Sequence, residues 1–154
     1  MQWKYLRLCV FYIGVSCASH TGYGAEAPEL LVGIGIFRTH AISSVLPEYP
    51  ASSLSAGHVG PAVIELRLSD EGTLRYSHVL EAPDSMIGSA VRDAVKRWSF
   101  RPFYVIEGGK THPIAARSRL IFYFLLVDYR PLVIDAAAET NPKYLRDRPN
   151  DSHQ

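Results

Sequence analysis

Residues 57–102 read GHVGPAVIELRLSDEGTLRYSHVLEAPDSMIGSAVRDAVKRWSFRP, and this stretch decides the fold. Ala62, Ile64, Leu66 and Leu68 alternate with Val63, Glu65, Arg67 and Ser69, the period-two pattern of a strand with one buried face. Asp70-Glu71-Gly72 then offers a glycine free to take positive φ where a short hairpin loop needs it. Extended, β-branched and aromatic residues resume from Thr73 to Leu80, which predicts a second strand antiparallel to the first. Asp84 is placed as an N-cap, and Met86, Ile87, Ala90, Val91, Ala94, Val95 and Trp98 follow at three- and four-residue spacing. That spacing predicts one amphipathic helix with a continuous apolar stripe.

Toward the C-terminus, the helix closes on Trp98-Ser99-Phe100-Arg101-Pro102, and Gly108-Gly109 marks a turn. From Pro113 to Leu126 alternation returns, with Ala116, Ser118, Leu120, Phe122, Phe124 and Leu126 facing one way and Arg117, Arg119, Ile121 and Tyr123 the other. This third strand is long against the usual five or six residues, and in a three-stranded sheet it is expected at the edge. An exposed edge binds or self-pairs. Arg117 and Arg119 read either as charges that keep the edge from self-pairing or as selectors of an incoming strand, and the two roles are compatible. Leu132-Val133-Ile134 is a short apolar patch able to fold back and shield the third strand, and residues 128–154 otherwise read as a largely disordered tail.

Toward the N-terminus, Pro47 and Pro50 hold Pro47-Glu48-Tyr49-Pro50 extended, and Ala51 to Ala56 is predicted as a short helix ending at Gly57. Tyr49 is expected half-buried, its ring capping the core. In the extension over residues 26–45, Leu30 to Phe37 is apolar and interrupted by glycine, so it either adds an edge strand or lies across the core. Gly33-x-Gly35 lacks the third glycine and the acidic residue of a dinucleotide fingerprint.

Residues 1–25 read as a secretory signal: Lys4 and Arg7, an apolar run, then small residues at Ser16, Ala18, Gly24 and Ala25. The apolar run from Leu8 to Ala18 is about half the ~20 residues that a membrane-spanning helix needs. A short N-terminal anchor is the alternative. Both cysteines, Cys9 and Cys17, fall in this segment, so a processed chain has no disulfide. Export to the periplasm is expected, with anchoring to the inner membrane, or lipidation at Cys17, as the other outcomes; Gly14 stands where lipoprotein signals usually carry leucine.

The order Tyr49-Pro50, Gly57 and Gly60, the alternating strand, Asp70-Glu71-Gly72, the second strand, the Ala-rich helix and Trp98-x-Phe100-x-Pro102 resembles the C-terminal domain of TonB-family energy transducers, over residues 46–127. The resemblance implies an α+β fold, two helices packed on one face of a three-stranded antiparallel sheet. It also implies a protein-interaction domain that binds outer-membrane transporters by β-strand addition during TonB-dependent transport. On that basis the partner-binding residues are Arg117, Arg119, Ile121 and Tyr123, joined by Glu48 and Tyr49 beside the docking groove. Ser16 and His20 are similar to the Ser and His by which the family's anchor helix engages a proton-channel partner, a role open only to an anchored chain. The family's long Pro-rich, Lys/Glu-rich spacer has no counterpart between residues 26 and 45, so the chain is not expected to bridge the periplasm by itself.

The remaining chemistry is sparse. The 154 residues are 47% apolar and 20% charged with net charge +1, acidic and basic residues being interspersed. That is a globular composition with nothing to draw nucleic acid or an anionic membrane. Six histidines show no metal-ligand spacing, and no Gly-x-Ser-x-Gly elbow or free thiol in the processed chain offers a nucleophile. No enzyme activity, metal or cofactor is expected. The core is assigned to Trp98, Phe100, Pro102, Leu66 and Val91. The alternative function is a structural module that forms a strand-edge homodimer with no transport role.

Overall fold

The computed structural model describes residues 28–139. The signal read over residues 1–25, with Cys9, Ser16, Cys17 and His20, and the tail beyond 139 lie outside the described residues. In chain order the elements are β1 (Glu29–Leu31), α1 (Ile34–Thr39), β2 (Ala41–Ser43), α2 (Ala51–Ser55), β3 (Gly60–Leu68), β4 (Leu74–Glu81), α3 (Ser85–Val95), β5 (Ser99–Phe100), β6 (Phe103–Glu107), β7 (Lys110–Val127), β8 (Arg130–Asp135) and α4 (Ala136–Glu139).

The hairpin and helix form where the sequence puts them. Ser69 N–H donates to Thr73 O at 2.8 Å, and Gly72 turns the chain with φ +81. A side chain at Gly72 would meet the backbone of the strand behind it, its Cβ falling 2.9 Å from Phe100 O. Asp84 accepts from Ile87 N at 2.8 Å, satisfying one of the amides left unpaired at a helix start. The inward stripe of α3 is Ile87, Gly88, Val91, Ala94 and Val95, whereas Met86 is exposed. Full burial of each larger side chain in that stripe contributes about 1.5–3 kcal/mol. They pack on the alternate residues of β3 and β7, Ile64, Leu66, Leu120 and Phe122, all shielded from solvent.

The sheet departs from the three-stranded expectation: among the described residues it has six strands, in the order β1-β7-β3-β4, with β6 and β8 also paired to β7. The long strand β7 runs for 18 residues because Gly108 and Gly109, both at positive φ, fold it back on β6 as a hairpin. Nor is β7 an edge. Along one side it pairs antiparallel with β3, from Gly60↔Phe124 to Leu68↔Ala116. Along the other it pairs parallel with β1, Glu29↔Ala115 to Leu31↔Arg117, and antiparallel with β8, Phe122↔Asp135 to Val127↔Arg130. The reason is geometric. Arg117 and Arg119 project perpendicular to the sheet, so they report an exposed face and carry no information about whether the backbone beside them is paired. Leu30 to Phe37 divides between β1 and α1, and Leu132-Val133-Ile134 folds back as part of β8.

Two further features position the site. The β7–β8 turn uses Asp128 at φ 50 and Tyr129 at φ 61, left-handed positions that cost a non-glycine residue about 1–2 kcal/mol each. β4 lies at the far end of the sheet and, among the described residues, pairs with β3 alone, with bulges at Val63/Ile64 and Arg67/Leu68; bulges of this kind twist an edge away from further pairing.

Candidate functional site

The helices cover one face of the sheet. The other carries Glu29 and Leu31 from β1, Glu65 and Arg67 from β3, and Arg117, Arg119, Ile121 and Tyr123 from β7, because cross-strand partners share a face. Arg117 Nε lies 3.6 Å from Glu29 Oε2, Arg119 Nε 3.8 Å from Glu65 Oε2, and Arg67 Nη2 3.2 Å from Glu65 Oε1. Exposed pairs of this kind contribute about 0–1 kcal/mol each, so their main effect is to fix where the charges stand.

Beside this ladder the β7 edge has a gap. Pairing with β1 ends at Arg117, where Val32 N–H donates to Arg117 O at 2.9 Å, and pairing with β8 begins at Phe122. Among the described residues no strand pairs with Ser118–Ile121 on that side. An open groove of about 650 Å³ lies at the gap, lined by Leu31, Val32, Gly33, Ile34, Glu65, Arg117, Ser118, Arg119 and Ile121. Ser118 Oγ closes one end by donating to Val32 O at 2.8 Å. The groove brings together the side of Ser118–Ile121 that no described strand pairs with, the apolar Leu31, Ile34 and Ile121, and the Glu65 carboxylate beside Arg67 and Arg119.

Of the residues read from sequence, Arg117, Arg119 and Ile121 line this groove, and Tyr123 continues their row at 40% exposure. Glu48 and Tyr49 are elsewhere. The Tyr49 ring stands edge-on to Phe124 on the helix-covered side, 5.3 Å between centroids, its hydroxyl donates to His58 O, and Glu48 is exposed ahead of it. Trp98, Phe100, Leu66 and Val91 are buried and Pro102 is half-buried. Sequence reasoning missed Glu65, Leu31 and Ile34 as groove residues. Glu65 was readable only as a solvated strand carboxylate until its pairing opposite Arg119 was known, and Leu31 and Ile34 lie in the extension whose partner was not evident.

Reactive residue types gather at the Tyr49 corner. His58 Nδ1 lies 2.5 Å from Asp84 Oδ2. The Ser53 hydroxyl beside it, with the Ile87 amide next in weight, holds the Asp84 carboxyl down to about 2, while burial and then the Asp84 charge push the Tyr49 phenol up. No hydrogen bond joins Ser53 to His58, and Asp84 caps the start of α3 through the Ile87 amide. No group of three or more His, Cys, Asp or Glu side chains among the described residues could hold a metal ion, and no helix among them is long and apolar enough to cross a membrane.

A family model described as the Gram-negative bacterial TonB protein C-terminal matches residues 45–124. Among solved structures, the chain is similar to the solution NMR structure of the Pseudomonas aeruginosa TonB C-terminal domain, at 24% identity over 55% of this chain and 83% of that one, with a TM-score of 0.44. No curated protein matches. The matched residues run from the approach to α2 through most of β7, and leave β1, α1, β2 and β8 outside. On a match that takes in just over half of its 154 residues, the chain belongs to the TonB C-terminal domain family.

Proposed function

We propose that this chain is an exported, periplasmic interaction domain that takes an extended segment of an outer-membrane TonB-dependent transporter into the groove between β1 and β8. Family membership supports a TonB-like role in transport, with envelope proteins as partners and no catalysis. The observation that carries the reading is the unpaired stretch Ser118–Ile121 beside the groove. A partner strand there gains main-chain hydrogen bonds from β7. Ile121, Leu31 and Ile34 offer it apolar contact, Arg117 and Arg119 select its charge, and Tyr123 extends the contact along the row. Glu48 and Tyr49 lie outside the groove and serve as the rim of the helix-covered side. A homodimer through the third strand is less well supported, because β1 and β8 already hold the places that a second copy's strand would take.

The test is titration of the purified chain with synthetic peptides spanning the periplasmic N-terminal segments of envelope transporters, followed by calorimetry. Binding that weakens about tenfold on Arg119→Glu, with the melting midpoint unchanged, is the expected result. Binding indifferent to Arg119→Glu and to Ile121→Asp would remove the groove as the site.

A further inference from the structure

Resting on the reading of the gap as a strand-accepting site, we infer that the groove also takes a second class of ligand, the free carboxy-terminus of a partner polypeptide. The last residue of such a chain pairs with Arg119, its α-carboxylate turns toward Arg117, and its third-last residue pairs with Ile121.

The gap has room for a short chain alone. Along a strand, the main-chain groups of alternate residues point to alternate edges. Arg117 O faces β1, where it accepts from Val32 N–H at 2.9 Å. By that alternation the N–H and C=O of Arg119 and Ile121 face the gap, and Tyr123 is the next to face β8, where it pairs with Ile134. β1 and β8 fill the lane on either side, so an added strand has the four positions Ser118–Ile121 to itself. An internal segment has to bend out of the sheet at both ends, whereas a chain end does so once. Toward β1 the lane is blind, closed by the bond from Ser118 Oγ to Val32 O and by the chain entering α1 at Gly33. An occupant running antiparallel to β7, as β8 does, has its carboxyl end there.

Charge makes the blind end a place for a carboxylate. Around the groove β1, β3 and β7 carry Arg67, Arg117 and Arg119 against Glu29 and Glu65, one carboxylate fewer than guanidinium groups. Glu65 is already shared by Arg67 and Arg119. Glu29 Oε2 lies 3.6 Å from Arg117 Nε, and that enclosed Nε has no hydrogen-bond partner among the described residues. The Arg117 side chain as a whole is 43% exposed, so it can meet an added anion. In antiparallel pairing the Arg119 N–H meets the terminal carboxylate itself, because that group stands where the last residue's carbonyl would be. Main-chain amides are a recurrent receptor for a terminal carboxylate, and a guanidinium beside them adds a charge-assisted bond. The last and third-last side chains of the occupant share the face of Leu31 and Ile121, which sets both positions as apolar.

The probes are acetyl-Thr-Val-Thr-Val with a free carboxylate, the same peptide as its carboxy-terminal amide, and that amide with an aspartate added at its start, which restores the charge but not its place. Each is titrated into the full chain by calorimetry. The free acid is expected to bind about tenfold more tightly than either amide, the factor that one hydrogen-bonded charge supplies. Arg117→Gln should bring the acid and its amide within about twofold of each other, and Arg117→Lys should keep part of the difference. If Arg117→Gln lowers the melting midpoint, the comparison of acid and amide on the unaltered chain decides alone. Acid and amide that bind alike, an aspartyl amide as tight as the acid, or no binding of the acid overturns the inference. Peptides from transporters are internal segments and are tested with amidated ends. Their binding without any gain from a free acid removes this inference and leaves the proposed function; binding of the free acid alone does the reverse.

Discussion

Arg38 and Asp135 stand 97 positions apart in the chain, yet their side chains meet at 2.7 Å with 9% and 3% of each residue exposed. The guanidinium also donates to Ser44 Oγ at 2.8 Å and lies 4.8 Å from the centre of the Trp98 ring. One cation thus ties α1, β8 and the end of α3 together. Asp135→Ala removes the buried carboxylate that Arg38 Nε meets at 2.7 Å and is expected to cost about 3–5 kcal/mol, while the double change Arg38→Met with Asp135→Leu should be close to neutral. Urea unfolding of both variants checks this. If the double variant is as unstable as the single one, the pair is contributing packing rather than charge.

Gly72 is the second fragile point. Its φ of +81 would strain any side chain, and a Cβ there would also lie 2.9 Å from Phe100 O and 3.0 Å from Pro102 N. Gly109, at φ +75, has nothing within 4 Å of the same position. Gly109→Ala should therefore cost only the left-handed strain of about 1–2 kcal/mol. Gly72→Ala should cost more, because β5 must move as well. Equal midpoints in thermal unfolding for the two variants would mean that the β3–β4 turn does not press on β5.

The contrast between these two regions shows what the sequence could reveal. The β3–β4 hairpin, α3 with its Asp84 cap, and the inward alternation of β7 were legible because each follows from short-range periodicity and turn chemistry. Of the missing strands, β1 and β8 were not. β6, Phe103 to Glu107, is a run of aromatic and β-branched residues before Gly108-Gly109 and was readable as half a hairpin. β1 and β8 are short, and their pairing with β7 joins residues far apart in the chain, which no local pattern encodes. The groove inherits that difficulty. Arg117, Arg119 and Ile121 were found from one strand's alternation, whereas Glu65, Leu31 and Ile34 reach the groove through pairings the alternation does not contain.

Asp84 makes stability depend on acid. Its carboxyl falls from the ordinary 3.8 to about 2, chiefly through the Ser53 hydroxyl and then the Ile87 amide. A carboxyl whose value is lower in the folded chain stabilises the fold above its unfolded value, and that contribution is lost as pH falls from about 4 through about 2. Between those limits the midpoint of thermal unfolding should drop with pH, and Asp84→Asn should flatten the slope while retaining a capping oxygen for the Ile87 amide. An unchanged slope in Asp84→Asn would assign the acid sensitivity to another carboxyl.

Trp98 tests how much of the core depends on one ring. It is 5% exposed, meets Phe122 edge-on with 6.1 Å between centroids, and donates from Nε1 to Val45 O at 2.9 Å. Truncation to alanine is expected to cost about 3–5 kcal/mol, a large part of the ~5–15 kcal/mol by which domains are stable. Trp98→Phe keeps most of the apolar volume but loses the donor to Val45, and with it the tie between the end of α3 and the chain leading into α2. If the phenylalanine variant unfolds near the wild-type midpoint, the ring acts by filling space and the Val45 carbonyl finds water. If it loses nearly as much as alanine, the indole N–H is holding the segment from Val45 to Pro50 against the sheet, and Tyr49 should then lose its contact with Phe124 in the same variant.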